Sequence, residues 1–215
     1  MVPIAGKPLL QHHFEFFRQQ GISEFILNLH HLPEKITEYF GDGSRFGVKV
    51  TYSLETEILG TAGGVKKMEA VLRASTFLVL YGDNLIRVEL TPLLEFHRQR
   101  RSIATVVLFE SPEPWTGGVV ETDATGRVTA FREKPDPKTI STNLINAGIY
   151  LLEPAVLDYI PVGRFCDFGK DVFPKLLAAD QPVYATKPLA YIQDVGTPER
   201  LQRAQQDFEN GLVLK

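Results

Sequence analysis

Two aspartates stand where carboxylates could do chemistry. Asp83 follows a run that is apolar from Phe77 to Tyr81, and Asp194 closes a second strand-like stretch shortly before Thr197. In open α/β sheets the ligand crevice lies beyond the carboxyl ends of the strands, so side chains delivered there can reach a ligand. Mg²⁺ takes one or two carboxylates and leaves its other positions to water and phosphate oxygens. The pair therefore predicts a site for a divalent cation that bridges phosphates, with loop or helix capping as the alternative for each aspartate.

A glycine-rich stretch, Leu59–Gly64, precedes a predicted helix. Its small residues, among them Gly60, Thr61 and Gly63, could let backbone N–H groups approach an anionic or planar ligand at the helix N-terminus. Glycine-rich turns between a strand and a helix are also common for conformational reasons alone. Because the full spacing of a phosphate-binding loop is missing, the structural interpretation is favoured for this stretch taken alone.

Glu133 and Lys134 stand side by side ahead of Pro135. A carboxylate next to an ammonium can bind a sugar hydroxyl with one group and a phosphate with the other, while the proline forces an extended exit. The alternative is a solvated ion pair on the surface, which contributes little to stability. For this motif taken alone, the surface ion pair is the stronger interpretation.

The apolar patterning predicts a scaffold of alternating strands and helices in the first half of the chain. The predicted helices cover residues 8–20, 33–40, 61–72 and 91–101, and the predicted strands cover 24–30, 48–54, 77–80 and 103–109. This alternation is typical of a doubly wound parallel sheet, and the continuous apolar run at 77–80 predicts a fully buried strand.

The second half of the chain departs from this alternation of strands and helices. It is predicted to contain a hairpin with its turn at 123–126, a strand over 143–152, short helices from 154 and over 172–179, short strands at 183–185 and 189–193, and a last helix over 198–208 that Thr197 caps. The expected fold is α/β, with a doubly wound, Rossmann-like mixed sheet that is mostly parallel and gains antiparallel strands towards the C-terminus. We expect one domain over residues 1–215.

Composition narrows the class of protein. The chain has 215 residues, of which 44% are hydrophobic, and this is enough for one substantial core. A formal net charge of −3 with scattered Lys and Arg argues against a dedicated nucleic-acid binder. Its single cysteine, Cys166, cannot form an internal disulfide, and no signal peptide or long apolar run is recognisable. These features lead to the expectation of a cytoplasmic protein without membrane or nucleic-acid partners.

Taken together, the motifs resemble those of the sugar-phosphate nucleotidylyltransferases across essentially the whole chain. Besides the stretches already described, Tyr81–Asp83, Gly117–Val120, Asn146–Tyr150 and Asp194–Pro198 occur in that family's order and approximate spacing. Each motif is modest, but the ordered set is specific. The Leu-Gly-Thr-Ala-Gly form is most similar to the mannose-1-phosphate guanylyltransferase branch.

The resemblance implies that a nucleoside triphosphate and a sugar 1-phosphate react to give a nucleotide-diphosphate sugar, GDP-mannose in the favoured case, and pyrophosphate. The implied catalytic residues are Asp83 and Asp194, which would hold Mg²⁺, and Lys134, which would neutralise the sugar phosphate. The implied sugar-lining residues are Glu133, Asn146 and Gly118. The residues implied to face the nucleotide base or ribose are Gly60, Thr61 and Gly63. Relatives commonly associate, so a homo-oligomer is left open.

The family's most diagnostic stretch is not found. These enzymes begin with a strand and a loop containing Gly-x-Gly-Thr-Arg and then Lys-Pro, and only afterwards reach the segment that Val2–Pro8 resembles. By resemblance that strand is central in the sheet, so the chain is expected to be N-terminally truncated relative to the family. Two unpaired strand edges and an uncovered apolar seam are expected to follow.

Two other functions stay open at this point. The first is a binding or regulatory protein that keeps a sugar-nucleotide pocket without catalysis. The second is a nicotinamide-dependent dehydrogenase on a doubly wound sheet, which is disfavoured because no Gly-x-Gly-x-x-Gly follows a first strand.

Overall fold

The computed structural model describes residues 2–213. The strands, in chain order, are β1 (Pro3–Ile4), β2 (Lys7–Pro8), β3 (Glu24–Leu29), β4 (Lys49–Leu54), β5 (Phe77–Leu80), β6 (Asn84–Val88), β7 (Ala104–Glu110), β8 (Gly118–Thr122), β9 (Val128–Glu133), β10 (Leu144–Leu152), β11 (Val183–Thr186) and β12 (Ala190–Asp194). The α-helices are α1 (Leu9–Gln19), α2 (Pro33–Phe40), α3 (Gly60–Lys67), α4 (Glu69–Leu72), α5 (Leu90–Arg100), α6 (Phe173–Ala178) and α7 (Pro198–Glu209). Among these described helices, none is both long and apolar enough to cross a membrane.

The chain divides into two compact units. The first unit combines Met1–Glu57, Tyr81–Thr91 and Leu189–Lys215, and the second unit combines Ile58–Leu80 and Pro92–Pro188. The single domain expected from length and composition stays a prediction.

In the first unit, α1 and α2 pack with the parallel pair β3–β4. The apolar face of α1 buries Phe14, whose ring centroid lies 4.5 Å from that of Phe25 and 5.0 Å from that of Phe40. The helix ends before Gly21, where a φ of +90° suits only a residue without a side chain. This aromatic cluster fixes the two helices against the parallel pair.

The first unit also contains the antiparallel pair β6–β12, in which Asn84 lies opposite Asp194. Leu85, Ile86 and Val88 of β6 are completely buried. The sequence predicts β12 but not β6, because Asp83 is expected to lead into a loop ahead of the next helix. The pairing matters for function, since it brings the two candidate aspartates to the same end of two neighbouring strands.

In the second unit the strand order is β11–β7–β10–β8–β9, and β5 also pairs with β10. The β7–β11 pair is parallel, and the other pairs of this sheet are antiparallel. Strand β10 is central and nearly completely buried, so its Tyr150 ring packs against Phe168 and Phe173, each with a centroid distance of 5.1 Å. This core supports the hairpin β8–β9.

The expected α/β class with a mixed sheet is confirmed, while the balance of its pairings differs from the expectation. Among the described pairs only β3–β4 and β7–β11 are parallel. The predicted helix at 61–72 is divided at Met68 into α3 and α4. The boundaries of the other main helices agree with the prediction to within about two residues.

The prediction that strand β5 is fully buried is wrong. All four of its apolar residues are half-buried, and within the described residues it pairs only with β10, and antiparallel. A strand that pairs on one edge leaves its other edge, and part of its apolar side chains, uncovered. Strand β3 likewise pairs only with β4 in the part of the chain that the structure describes.

Candidate active site

The structure brings Asp83 and Asp194 to adjacent backbone positions in the first unit. Asp194 is the last residue of β12 and Asp83 immediately precedes β6, while the backbone N–H of Val195 points to the carbonyl oxygen of Asp83 at 3.4 Å. Both side chains are exposed. The strand pairing therefore delivers two carboxylates to one end of a two-stranded ribbon.

The Asp194 carboxylate has protein partners on both oxygens. Its Oδ1 accepts the backbone N–H of Gly196 at 2.6 Å, and its Oδ2 accepts from the Arg200 guanidinium at 2.5 Å. Capping of α7 falls to Thr197, whose hydroxyl oxygen accepts the backbone N–H of Arg200 at 3.3 Å. Asp194 thus shapes the turn into α7 without being its cap.

The donor set suits a divalent cation that needs few protein ligands. Among the described residues, no cluster of three or more His, Cys, Asp or Glu side chains could hold a metal ion. Mg²⁺ bound to phosphates needs only one or two carboxylates, and each carboxylate oxygen keeps a further lone pair after one hydrogen bond. Asp83 has no hydrogen-bond partner for its side chain in the described chain, so it fits the cation more readily than Asp194, whose ion pair with Arg200 competes.

In the second unit, the hairpin β8–β9 sets Gly118 directly opposite Glu133. A Cβ atom built at Gly118 would lie 2.8 Å from the Glu133 Oε2, and one built at Gly169 would lie at the same distance from that oxygen. Real Cβ atoms essentially never come this close to an oxygen. Glycine at both positions therefore leaves the space that the Glu133 carboxylate occupies.

The Glu133 carboxylate is half-buried and makes no hydrogen bond to another described residue. Burial raises the pKa of the Glu133 carboxyl, and the nearby Asp167 carboxylate raises it further, whereas Lys134 and Lys170 act in the opposite direction. The Glu133 oxygens are not among the described buried atoms that lack a hydrogen-bond partner, so they reach solvent, and a ligand can take the place of water there. Glu133 is thus prepared to accept hydrogen bonds from a ligand.

Lys134 has an exposed side chain on a backbone that side-chain-bearing residues rarely adopt. Its φ is +47°, in the left-handed region, and its backbone N–H donates to the Gly117 carbonyl at 2.9 Å. Such strain costs about 1 kcal/mol and clusters at functional sites. Within the described chain the Lys134 ammonium forms no ion pair with Glu133 or any other carboxylate, so the surface ion pair considered for this motif is not what the structure contains.

Asn146 lies where β10 bulges against β7, between Asn146 and Tyr150. Its side-chain amide donates to the Tyr150 hydroxyl at 2.6 Å, and its Oδ1 accepts the backbone N–H of Gly148 at 2.9 Å. The side chain therefore fixes the bulge, and its assignment to the sugar stays a prediction.

The turn that begins α3 is attached to the segment 164–168. The Cys166 carbonyl accepts the backbone N–H groups of Ala62 and Gly63 at 3.0 and 3.1 Å, and the Cys166 N–H donates to the Leu59 carbonyl at 2.8 Å. A Cβ atom at Gly60 would lie 2.6 Å from the Cys166 carbonyl oxygen. These contacts favour the conformational interpretation of the glycines, because two of the N–H groups that could bind an anion are already engaged.

The Thr61 hydroxyl is engaged within the protein as well. It donates to Asp167 Oδ2 at 2.8 Å and accepts the backbone N–H of Phe168 at 3.0 Å. The assignment of Gly60, Thr61 and Gly63 to the nucleotide stays a prediction, and in this structure their closest partners lie in the segment 164–168.

Two acidic residues of interest were not found from the sequence. Asp167 accepts the backbone N–H groups of Gly169 and Lys170 at 2.9 and 3.1 Å, and the pattern of an Asp ahead of a helical run could have revealed this cap. Glu55, only 7% exposed, follows the carboxyl end of β4 and accepts from the Asn28 side chain at 2.6 Å. The sequence feature that could have revealed Glu55 is its place directly after a strand in which apolar and polar residues alternate.

Comparison with known proteins decides the family. A protein-family profile described as "Nucleotidyl transferase" matches residues 1–211. The chain belongs to this family. It is 41% identical, over 86% of its length, to the UTP–glucose-1-phosphate uridylyltransferase of Synechocystis sp. and covers 51% of that protein. It is 39% identical, over 99% of its length, to the mannose-1-phosphate guanylyltransferase of Mycobacterium tuberculosis and covers 59% of it. The chain thus spans little more than half the length of these curated relatives.

Solved structures agree with the family assignment. HddC from Yersinia pseudotuberculosis superposes with a TM-score of 0.82 at 28% identity, covering 97% of this chain and 88% of HddC. The structure of HddC complexed with GMP-PN has a TM-score of 0.81 at the same identity, with the same coverage. The resemblance to sugar-phosphate nucleotidylyltransferases is therefore confirmed, while the relatives' names differ in both the nucleotide and the sugar.

Proposed function

We propose that this chain carries the site of a sugar-phosphate nucleotidylyltransferase, with GTP and mannose 1-phosphate as the favoured substrates. The observation that carries the proposal is the Glu133 carboxylate, which is half-buried, lies between two glycines and has no hydrogen-bond partner among the described residues. A sugar presents neighbouring hydroxyls, and such an acceptor suits them. The adjacent Lys134 ammonium suits a phosphate.

The reaction needs no protein nucleophile. A phosphate oxygen of the sugar 1-phosphate attacks the α-phosphorus of the triphosphate in line and forms the new P–O bond. The bond from the α-phosphorus to the oxygen that bridges it to the β-phosphorus breaks, and pyrophosphate leaves with that electron pair. Transfer of this kind is accelerated mainly by positioning the reactants and by neutralising phosphate charge.

Each proposed residue has a task that its surroundings permit. Glu133 accepts from sugar hydroxyls and so orients the ring, and Gly118 keeps the space in front of it open. Lys134 neutralises the sugar phosphate, and its exposed side chain directly follows β9 on a left-handed backbone. Asp83 and Asp194 would hold Mg²⁺, which supplies positive charge to the phosphate oxygens when it is bound. The cytoplasmic location and a homo-oligomeric state are part of the same proposal.

A second candidate is a relative that binds a nucleotide-diphosphate sugar without turning it over. The observation that favours it is the Arg200 guanidinium on Asp194, because an ion pair on this carboxylate weakens its attraction for a cation. In this case the sugar side of the site would still bind its ligand.

One assay separates the two candidates. Pyrophosphate release is measured with GTP, UTP, dTTP, CTP and ATP against mannose 1-phosphate and glucose 1-phosphate, with and without Mg²⁺. We expect Mg²⁺-dependent release that is fastest with GTP and mannose 1-phosphate. No release with any pair, together with calorimetric binding of GDP-mannose, would establish the second candidate instead.

Two matched lysine variants test whether Lys134 contributes to the reaction. Lys134→Met should lower kcat/KM for the sugar 1-phosphate by about a hundred-fold, because a charge-assisted contact to phosphate is lost. Lys138→Met, which removes an exposed lysine four residues along the same loop, should leave it within about two-fold. Equal loss in both variants would show that Lys134 has no particular place in the reaction.

A further inference from the structure

We infer that Asp167 is a positioning residue of the sugar site. It holds Gly169, which packs against the Glu133 carboxylate, and it joins Gly169 to the turn at Thr61. This inference rests on the proposed function, since it concerns the same Glu133. It goes beyond that function because Asp167 itself touches no substrate in the proposal and acts through Gly169 and Thr61.

Asp167 is held from three sides. Its Oδ1 accepts from the backbone of Gly169 and Lys170, and its Oδ2 accepts from the Thr61 hydroxyl. Its own backbone N–H donates to Asp171 Oδ2 at 2.8 Å. A carboxylate with three donors is fixed in position, and so are the groups that donate to it.

Gly169 is the link between Asp167 and Glu133. Its N–H is bound to the Asp167 carboxylate, while its Cα faces Glu133 Oε2 so closely that a Cβ atom there would lie at 2.8 Å. The Phe131 ring lies against the same face, 3.0 Å from that Cβ position. The hydrogen bond from Gly169 to Asp167 therefore determines how much room the Glu133 carboxylate has.

The Thr61 hydroxyl is the link to the turn. It donates to Asp167 and accepts from Phe168, and its bond to Asp167 joins positions 106 residues apart in the chain. The turn at 59–63 and Gly169 are thus joined through the Asp167 carboxylate. A change in the position of one should therefore alter the position of the other.

The charge of Asp167 acts on the pKa of the Glu133 carboxyl, an effect that its hydrogen bonds alone would not have. The charged groups that act on Glu133 are Asp167, Lys134 and Lys170, and Asp167 is the only one of these three whose charge disfavours ionised Glu133. Removal of the Asp167 charge therefore lowers the pKa of the Glu133 carboxyl, and Glu133 stays ionised to a lower pH.

The first variant is Asp167→Asn, in which the amide oxygen can still accept from Gly169 and Lys170. We expect the acid limb of the pH profile of kcat/KM for the sugar 1-phosphate to move to lower pH. We also expect KM for the sugar 1-phosphate to rise about ten-fold, because the Thr61 hydroxyl no longer donates to a charged carboxylate. Thermal unfolding should stay within a few degrees of the parent.

A second variant separates the effect of the Asp167 charge from the effect of its hydrogen bond with Thr61. Thr61→Val removes the hydroxyl but leaves the Asp167 carboxylate, so KM should rise while the acid limb stays in place. The matched control is Asp123→Asn, which makes the same substitution at an aspartate that accepts two backbone N–H groups at the other end of the hairpin. It should change neither quantity.

Two results would overturn the inference: an Asp167→Asn variant with an unmoved acid limb and an unchanged KM, or one that moves no further than Asp123→Asn. If the parent chain shows no pyrophosphate release at all, the proposed function fails separately. The inference is then tested by NMR titration of ¹³C-labelled Glu133, whose pKa must fall in Asp167→Asn relative to the parent and must not fall in Asp123→Asn.

Discussion

Protonation of His13 should loosen the first unit in mild acid. His13 lies on the buried face of α1, is 3% exposed, and its Nε2 donates to the Asn84 carbonyl at 2.9 Å. Burial lowers the pKa of His13 from 6.5 to about 4, the positive charge of Arg87 adds to this, and the hydrogen bond acts in the opposite direction. The neutral ring is therefore the form that the folded chain accepts.

The sign and size of the effect follow from this difference. Since the pKa is lower in the folded state than in the unfolded state, the stabilisation is present above pH 6.5 and is lost as the pH falls towards 4. The whole difference corresponds to roughly 3 kcal/mol in the free energy of unfolding, and about 2 kcal/mol of it should be lost between pH 7 and pH 5. His12, whose pKa is also lowered by burial, adds in the same direction.

The assay is urea unfolding at pH 7 and pH 5, followed by circular dichroism, on the parent chain and two variants. His13→Gln cannot take up a proton, so its loss of unfolding free energy between the two pH values should be smaller by about 2 kcal/mol. The control is His31→Gln, because His31 is exposed and should behave like the parent. If His13→Gln loses as much stability as the parent, or if NMR places the pKa of His13 near 6.5, the reasoning is refuted.

Four further substitutions have defined outcomes. Gly118→Ala should lower kcat/KM about ten-fold or more in the pyrophosphate assay, because the new Cβ displaces the glutamate opposite, and unchanged kinetics would contradict the close approach. Asp83→Asn and Asp194→Asn should each lower turnover strongly at saturating Mg²⁺ with circular dichroism near that of the parent, so wild-type rates would remove the metal assignment. Lys66→Ala should destabilise the fold by about 1–3 kcal/mol in urea, since Lys66 is buried with hydrogen-bonded partners, whereas Lys67→Ala should cost less because Lys67 is exposed.

The sequence was most informative where structure is determined locally. Pro33 and Thr197 mark the beginnings of α2 and α7, and both helices begin where these residues indicated. The predicted turn at 123–126 does join β8 to β9, but a register shift between Glu121 and Thr122 sets Gly118 opposite Glu133, one residue beyond the pairing that the turn alone implies. Short-range hydrogen bonds and turn chemistry carry this information.

The sequence was least informative where the partner lies far along the chain. Strand β6 pairs with β12 about a hundred residues later, and its short apolar run gives no sign of that partner. The Thr61–Asp167 bond is equally distant, and the two residues were therefore not connected. For β5 the pattern indicated an apolar strand correctly, but its burial depends on how many neighbours pair with it, which composition does not contain.

The left-handed backbone at Lys134 has a consequence for protein engineering. Replacing it with glycine would remove a conformational penalty of about 1 kcal/mol, so a screen that rewards heat resistance alone would favour glycine at this position. The same replacement would remove the cation proposed for the sugar phosphate. Improvement of this scaffold should therefore select for turnover at every round, because one of the positions where glycine would relieve backbone strain is a proposed catalytic residue.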